Sequence, residues 1–309
     1  MKRMSLATLS GLVLMASGCS AVSDSEASGV QVAAAFYPLE YVASRVLGPY
    51  GQVSALTTPG KEPHDLELTV RETADIALAD LVVYEAGFQA AIDDAIEQNA
   101  GGDVVDAAAE VDLQPFADDA HDEQETEGSH EDHGHEGGLD PHFWLDPLRM
   151  ATLGEAIAAS LVEIDPPNAE EYLANADELR RDLERLDEQF TTGLADCDRT
   201  TIVVSHDAFG YLARYGLEIA PVAGLSPEAE PTPADLGALQ ELIRSDGITT
   251  VFSERLVSPR LTQTLAQDMG IRTAVLDPVE GLSEETSDED YVSLMEQNLT
   301  ALREANACS

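Results

Sequence analysis

From Val30 onward the chain alternates short β-branched, apolar runs with amphipathic stretches. The first half carries VQVAAAF (30–36), QVSAL (52–56), LVVY (81–84) and DVVD (103–106), separated by helical patterns at 38–48, 69–78 and 89–98. The rhythm returns in the second half with TIVVS (201–205), LEIAPV (217–222), TTVF (249–252) and RTAVL (272–276). Short strands separated by amphipathic helices are the signature of βαβ units, whose parallel sheets must be covered by helices on both faces. The pattern therefore predicts an α/β protein built as two α/β lobes with central parallel-type sheets.

Between these halves Leu173, Ala176, Leu179, Leu183, Leu186, Phe190 and Leu194 recur every three or four residues, one apolar stripe on a helix. Asp165-Pro166-Pro167 marks its start. A helix over 168–195 would run about 40 Å at 1.5 Å per residue, long enough to brace both lobes as a rigid strut. The expected organisation is an N-terminal lobe over 30–165, a linking helix over 166–196 and a C-terminal lobe over 197–309.

The first 18 residues read as an export signal: Lys2 and Arg3, then an apolar stretch too short to anchor in a bilayer, then Ser17-Gly18. Cys19 follows directly and resembles the lipobox cysteine at which bacterial lipoproteins are acylated, although Ala16 stands where Leu is usual. Residues 20–29, rich in Ser, Ala and acids, suit a flexible tether. Export also decides the two remaining cysteines. Cys197 and Cys308 would mature where disulfides persist and are expected to pair. Closing so long a loop contributes about 4 to 5 kcal/mol in the chain-entropy picture. Neither cysteine belongs to a CxxC pair, so thiol redox chemistry and a cysteine-rich zinc site have no support.

Charge narrows the partners. Fifty-nine acidic residues against 16 basic ones give a net charge of −43, with 44% of the chain apolar. Such a surface repels phosphate backbones and anionic headgroups, which excludes nucleic acid and leaves a lipid anchor as the only expected membrane contact. One segment, 118–138, has nine acids, four of the seven histidines and almost nothing apolar. It cannot build a core. His121, His130, His133 and His135 make it an auxiliary, weak metal-binding loop on composition.

The other three histidines sit in compact polar settings: EPHD at 62–65, DPHFWLDP at 140–147 and SHDAFG at 205–210. His206 follows the strand TIVVS and Asp277 follows RTAVL, both at strand carboxyl ends, where open α/β sheets place their ligands. His64 lies in a loop, and His142 immediately precedes a helix beginning near Pro147. A cleft between the lobes would collect them.

The stretches PHDLEL (63–68), DPHFWLDP (140–147), SHDAFGYLARYGL (205–217) and LDPVEGL (276–282) resemble, in order, the metal-binding lipoproteins of bacterial ABC transporters, the zinc and manganese branch of the solute-binding proteins. The acidic His-rich loop and the long helix between lobes match as well. The resemblance implies metal ligands at His64, His142, His206 and Asp277. It also implies a partner permease with its ATPase, a monomer, and a place at the outer face of the cytoplasmic membrane. Histidine at the third position, where manganese-type members carry Glu, points to the zinc branch. Three imidazoles and one carboxylate suit tetrahedral Zn2+, whereas Mn2+ prefers more oxygen ligands. Glu254 is a candidate for orienting an imidazole or for an alternative ligand. Asp65, Asp207 and Asp146 are candidates for orienting imidazoles, Asp146 alternatively for capping a helix. Phe143 and Trp144 are expected in the core.

Two other readings use the same residues. A secreted zinc hydrolase needs three histidine ligands and an open position. Asp277 as a fourth ligand would close that position, and the chain has no HExxH or GxSxG motif. A surface metal buffer or adhesin for cell adhesion would bind zinc without transport. The expectation is zinc capture for uptake, without bond chemistry, weakening as pH falls through the imidazole range near about 6.5 because protons compete for the ligands.

Overall fold

A computed structural model describes residues 29–64, 66–116, 138–227 and 229–309. The first half contains β1 (Val30–Ala34), α1 (Tyr37–Leu47), β2 (Gly51–Ala55), α2 (Val70–Leu78), β3 (Leu81–Tyr84), α3 (Ala90–Asn99), β4 (Asp103–Asp106) and the short α4 (Ala107–Glu110). A two-residue antiparallel pair, β5 (Gln114–Pro115) with β6 (Leu139–Asp140), then leads to α5 (Pro147–Ile164) and α6 (Ala169–Gly193). The second half contains β7 (Thr201–Val204), β8 (Glu218–Pro221), α7 (Pro233–Ser245), β9 (Thr250–Ser253), α8 (Arg260–Met269), β10 (Arg272–Val275) and α9 (Tyr291–Asn306).

Both four-stranded sheets are parallel throughout, ordered β2-β1-β3-β4 and β10-β9-β7-β8. The second repeats the topology of the first: the leading strand of each half lies inside, flanked by the second strand on one side and the third on the other. Chain direction across the sheet therefore reverses between β1 and β3, and between β7 and β9. Crevices open there at the strand carboxyl ends. The central strands are apolar on both faces, as in Leu81-Val82-Val83 and Ile202-Val203-Val204, all buried, because helices cover each sheet twice.

The linking helix buries Tyr172, Ala176, Leu179, Leu183, Leu186 and Phe190, with Leu194 buried just beyond its end. Leu173, placed on this stripe by spacing, is instead 54% exposed. Tyr172 takes the buried position: its ring meets Tyr50 edge-on at 5.7 Å and its hydroxyl donates to Asp165 at 2.7 Å. The helix packs on α1 and α5, with Arg45 of α1 paired to Asp182 at 2.7 Å, and on α9, where Gln189 donates to Glu296. It thus touches helices of both halves. Cys197 and Cys308 form a disulfide that ties the chain just after α6 to the chain just after α9.

Candidate metal centre

Each histidine reaches the cleft by a different local device. His64 lies in the loop between β2 and α2. Gln89 holds that loop from below, donating to the Pro63 carbonyl at 3.0 Å and to Thr57 at 3.2 Å. His142 precedes a 3₁₀ turn, Phe143–Leu145, and then the start of α5, where Asp146 accepts from Leu148 N–H as the cap. His206 stands two residues beyond β7, with Ser205 between them. Glu280 sits in the turn after β10. The Gly60 N–H donates to the Leu282 carbonyl at 2.7 Å, joining the His64 loop to this turn across the cleft.

These four side chains converge. His64, His142, His206 and Glu280 offer ligand atoms that all lie within 4.8 Å of one another, the one such group of His, Cys, Asp or Glu among the described residues. Glu280 Oε1 is 3.6 Å from His64 Nε2, 3.7 Å from His142 Nε2 and 3.6 Å from His206 Nε2. Ligand atoms bonded to one Zn2+ at about 2.0 to 2.2 Å in a tetrahedron lie about 3.3 to 3.6 Å apart, close to these three separations. All four atoms are buried and lack a hydrogen-bond partner among the described residues. Buried polar atoms are normally satisfied, so four that face one another without partners form a group that could hold a cation.

The other ring nitrogens are held. Asp140 Oδ1 lies 2.7 Å from His142 Nδ1 and also accepts the His142 backbone N–H at 3.0 Å. Glu254 Oε1 lies 2.6 Å from His206 Nδ1 and takes a short hydrogen bond from the Ser205 hydroxyl. Carboxylates behind metal-facing imidazoles set the tautomer and point the free nitrogen at the ion. Phe88 meets the His64 ring at 4.7 Å and Trp144 meets the His142 ring at 5.2 Å, an apolar wall on one side of the cluster. A cavity of about 410 Å³ adjoins it, lined by His64, Glu85, Phe88, Phe116, Gly138 and Ser226.

The charges lean on one another. Burial alone would lower the His206 imidazolium, but hydrogen bonding and charge from Glu254 and Glu280 outweigh it and push the group up to about 10. Burial would raise the Glu280 carboxyl, yet His206 and His64 hold it well below the usual carboxylate range. Both shifts arise because the His206 ring lies between the Glu254 and Glu280 carboxylates.

The fourth partner differs from the sequence expectation. Asp277 does not join the histidines: its Oδ1 accepts the Val279 N–H at 2.8 Å and its Oδ2 faces Arg255 Nε at 2.9 Å. The carboxylate turns back on its own loop, and the chain reverses over Pro278 and Val279 to bring Glu280 forward. Glu280 was visible within LDPVEGL but was overshadowed by the aspartate at the strand end. Asp140 likewise orients His142, while Asp146 caps α5 and pairs with Arg214 at 2.8 Å. The backbone N–H of Asp207 donates to the Gly224 carbonyl, and it is Glu254 that holds the His206 ring. Phe143 and Trp144 are fully buried. Asp65, Cys19, His121, His130, His133 and His135 lie outside the described residues.

Two α/β lobes that enclose three imidazoles and a carboxylate at the carboxyl ends of their sheets define a metal-binding solute-binding protein. The chain belongs to the family of zinc-uptake complex component A, periplasmic (ZnuA), whose model matches residues 32–305. It is 32% identical over 289 residues to the high-affinity zinc uptake system protein ZnuA of Bacillus subtilis (strain 168), covering 92% of this chain and 89% of that one. Against the zinc-binding lipoprotein AdcA of Streptococcus pneumoniae serotype 4 it is 34% identical over 315 residues, covering 98% of this chain but 61% of AdcA. Among solved structures, the Zn(II)-bound ZnuA-like domain of Streptococcus pneumoniae AdcA matches with a TM-score of 0.74 and 31% identity, over 90% of this chain and 99% of that domain. Membership makes the chain a solute-binding protein and not an enzyme. No helix among the described residues is long and apolar enough to cross a membrane.

Proposed function

We propose that the protein captures Zn2+ outside the cytoplasm, with His64, His142, His206 and Glu280 as its four ligands, and delivers it to an ABC permease driven by its ATPase. The observation that carries this reading is the set of four buried ligand atoms within 4.8 Å of one another, none with a hydrogen-bond partner among the described residues. Zinc is the cargo, and manganese fits less well, because three imidazoles leave too few oxygens for a six-coordinate ion. Four protein ligands fill the tetrahedron and leave no open position for an activated water, which separates the site from a zinc hydrolase. We assign lipid attachment to Cys19, with residues 20–29 as tether, on the lipobox-like sequence alone. The histidines of 118–138 serve as an auxiliary collector of zinc, on composition, and the protein works as a monomer.

The test is titration of the full mature protein carrying His121, His130, His133 and His135 all changed to Ala. One tight zinc equivalent, weak manganese binding and loss of tight binding in His206→Ala and Glu280→Ala are expected. Retention of tight zinc binding in both cleft variants overturns the ligand set. A surface buffer or adhesin is distinguished in cells: uptake of labelled zinc that depends on this protein and on a membrane ATPase supports transport, whereas uptake unaffected by its loss rejects it.

A further inference from the structure

Glu280 Oε1 has no hydrogen-bond partner among the described residues and faces the three histidine Nε2 atoms. Its placement is set by the turn that precedes it, and that turn holds an uncommon conformation. Val279 is β-branched, fully buried and left-handed, with φ at +60°. Such a residue adopts this conformation only where its surroundings over-determine it.

Three anchors surround it. Asn298 of α9 grips the backbone of Asp277 at both ends, accepting its N–H at 2.8 Å and donating to its carbonyl at 2.6 Å. The Trp144 indole, from the element that carries His142, donates to the Pro278 carbonyl at 2.7 Å. The Asp277 side chain makes the third, accepting the Val279 N–H at 2.8 Å while Arg255 stands behind its other oxygen. Only this last anchor touches the left-handed residue itself, and it satisfies a donor that would otherwise be orphaned in the interior.

We propose that Asp277 is a positioning residue for metal capture: its carboxylate locks the left-handed turn at Val279 and so carries Glu280 onto the three histidines. The proposal rests on the four-ligand reading above. Because Asn298 holds the Asp277 backbone independently, a change of the 277 side chain loosens the turn at Val279 without releasing the strand end. Glu280 Oε1 then drifts from the point equidistant from the three Nε2 atoms, and a ligand displaced by even half an ångström is lost to a small, rigid coordination sphere.

The experiment compares Asp277→Asn, Asp277→Ser, Asp277→Ala, Arg255→Gln and Glu280→Ala in the full mature protein with the four loop histidines changed to Ala. Three quantities are read: zinc affinity by chelator competition, the visible spectrum of the Co2+-loaded protein as a report of coordination geometry, and thermal stability. Asp277→Asn keeps an acceptor for the Val279 N–H and is expected to retain the wild-type Co2+ spectrum. Asp277→Ser, a weaker acceptor, falls between, and Asp277→Ala loses affinity about ten- to hundredfold with a spectrum converging on that of Glu280→Ala. Arg255→Gln lowers stability but leaves the spectrum unchanged, which separates the acceptor from the ion pair. A wild-type spectrum and affinity in Asp277→Ala overturn the proposal, and if that variant does not fold, the same result in Asp277→Ser does. Wild-type affinity in Glu280→Ala sinks the ligand assignment itself, while a crippled Glu280→Ala beside an unaffected Asp277→Ala sinks only the positioning role.

Discussion

His206 Nδ1 and Glu254 Oε1 stand 2.6 Å apart, both buried, one on the strand end of β7 and the other on that of β9. β7 and β9 are paired neighbours at the switch point of the second sheet, so the topology itself delivers the metal-facing imidazole and its orienting carboxylate side by side. Glu254→Gln, which keeps the shape but not the charge, is expected to weaken zinc binding about ten- to hundredfold. Isothermal titration of the variant against the parent checks this. Unchanged affinity would show that the carboxylate does not act on the ion through His206.

With His206 as a zinc ligand, as proposed, the same pair would make zinc binding a proton exchange. His206 in the metal-free protein is pushed up to about 10, so at pH 7 zinc must displace a proton from it. Affinity should therefore climb with pH well beyond the ordinary imidazole range, by about tenfold per unit from pH 7 to 9 for one proton. This moves the competition upward from the range expected on sequence alone. For the fold, the sign is opposite. A pKa raised above its unfolded value stabilises the metal-free protein fully below about 6.5, and that contribution is lost as pH rises through about 10. Calorimetry in buffers of different ionisation heat should count about one proton released per zinc at pH 7; heats independent of buffer would contradict it.

Much of the candidate site is legible in the sequence: a polar triplet after an apolar run singles out His206, and compact polar loop motifs single out His64 and His142, three of the four residues that the fold brings together. Glu280 and Asp277 show where reading stops. Both are acids in one loop, and what decides between them is the dihedral angle at Val279, a left-handed turn that a Val gives no reason to expect. Asp140 was similarly hidden, since an acid two residues before a histidine folds back on it only when the intervening Pro141 bends the chain. Tyr172 displaced Leu173 because an amphipathic ring with a partner for its hydroxyl competes with leucine for a buried slot, and periodicity alone weighs them equally.

That contest yields a paired prediction on the linking helix. Leu183 is fully buried where α6 packs, whereas Leu173 is 54% exposed. Leu183→Ala is expected to cost about 2 to 5 kcal/mol of unfolding free energy, and Leu173→Ala under about 0.5 kcal/mol. Denaturant melts of the metal-free protein measure both. Similar losses in the two variants would mean that the helix face has been read one residue out of register.

Glu85 occupies in the first sheet the place that Glu254 holds in the second, the residue just after the third strand of its sheet, but among the described residues no histidine pairs with it. It is 2% exposed, and among the described residues neither carboxylate oxygen has a hydrogen-bond partner. Burial, reinforced by the charges of Asp140, Asp106 and Asp93, pushes its carboxyl well above the usual carboxylate range. An acid whose folded pKa is raised binds more protons folded than unfolded, so its contribution to stability falls as pH rises from about 4.5 toward the folded value. Glu85→Gln removes that slope while keeping the shape. The stability of Glu85→Gln relative to the parent should therefore increase steadily from pH 5 to pH 8 in matched melts. A difference that stays flat over that interval would mean that Glu85 is ionised in the folded protein across it.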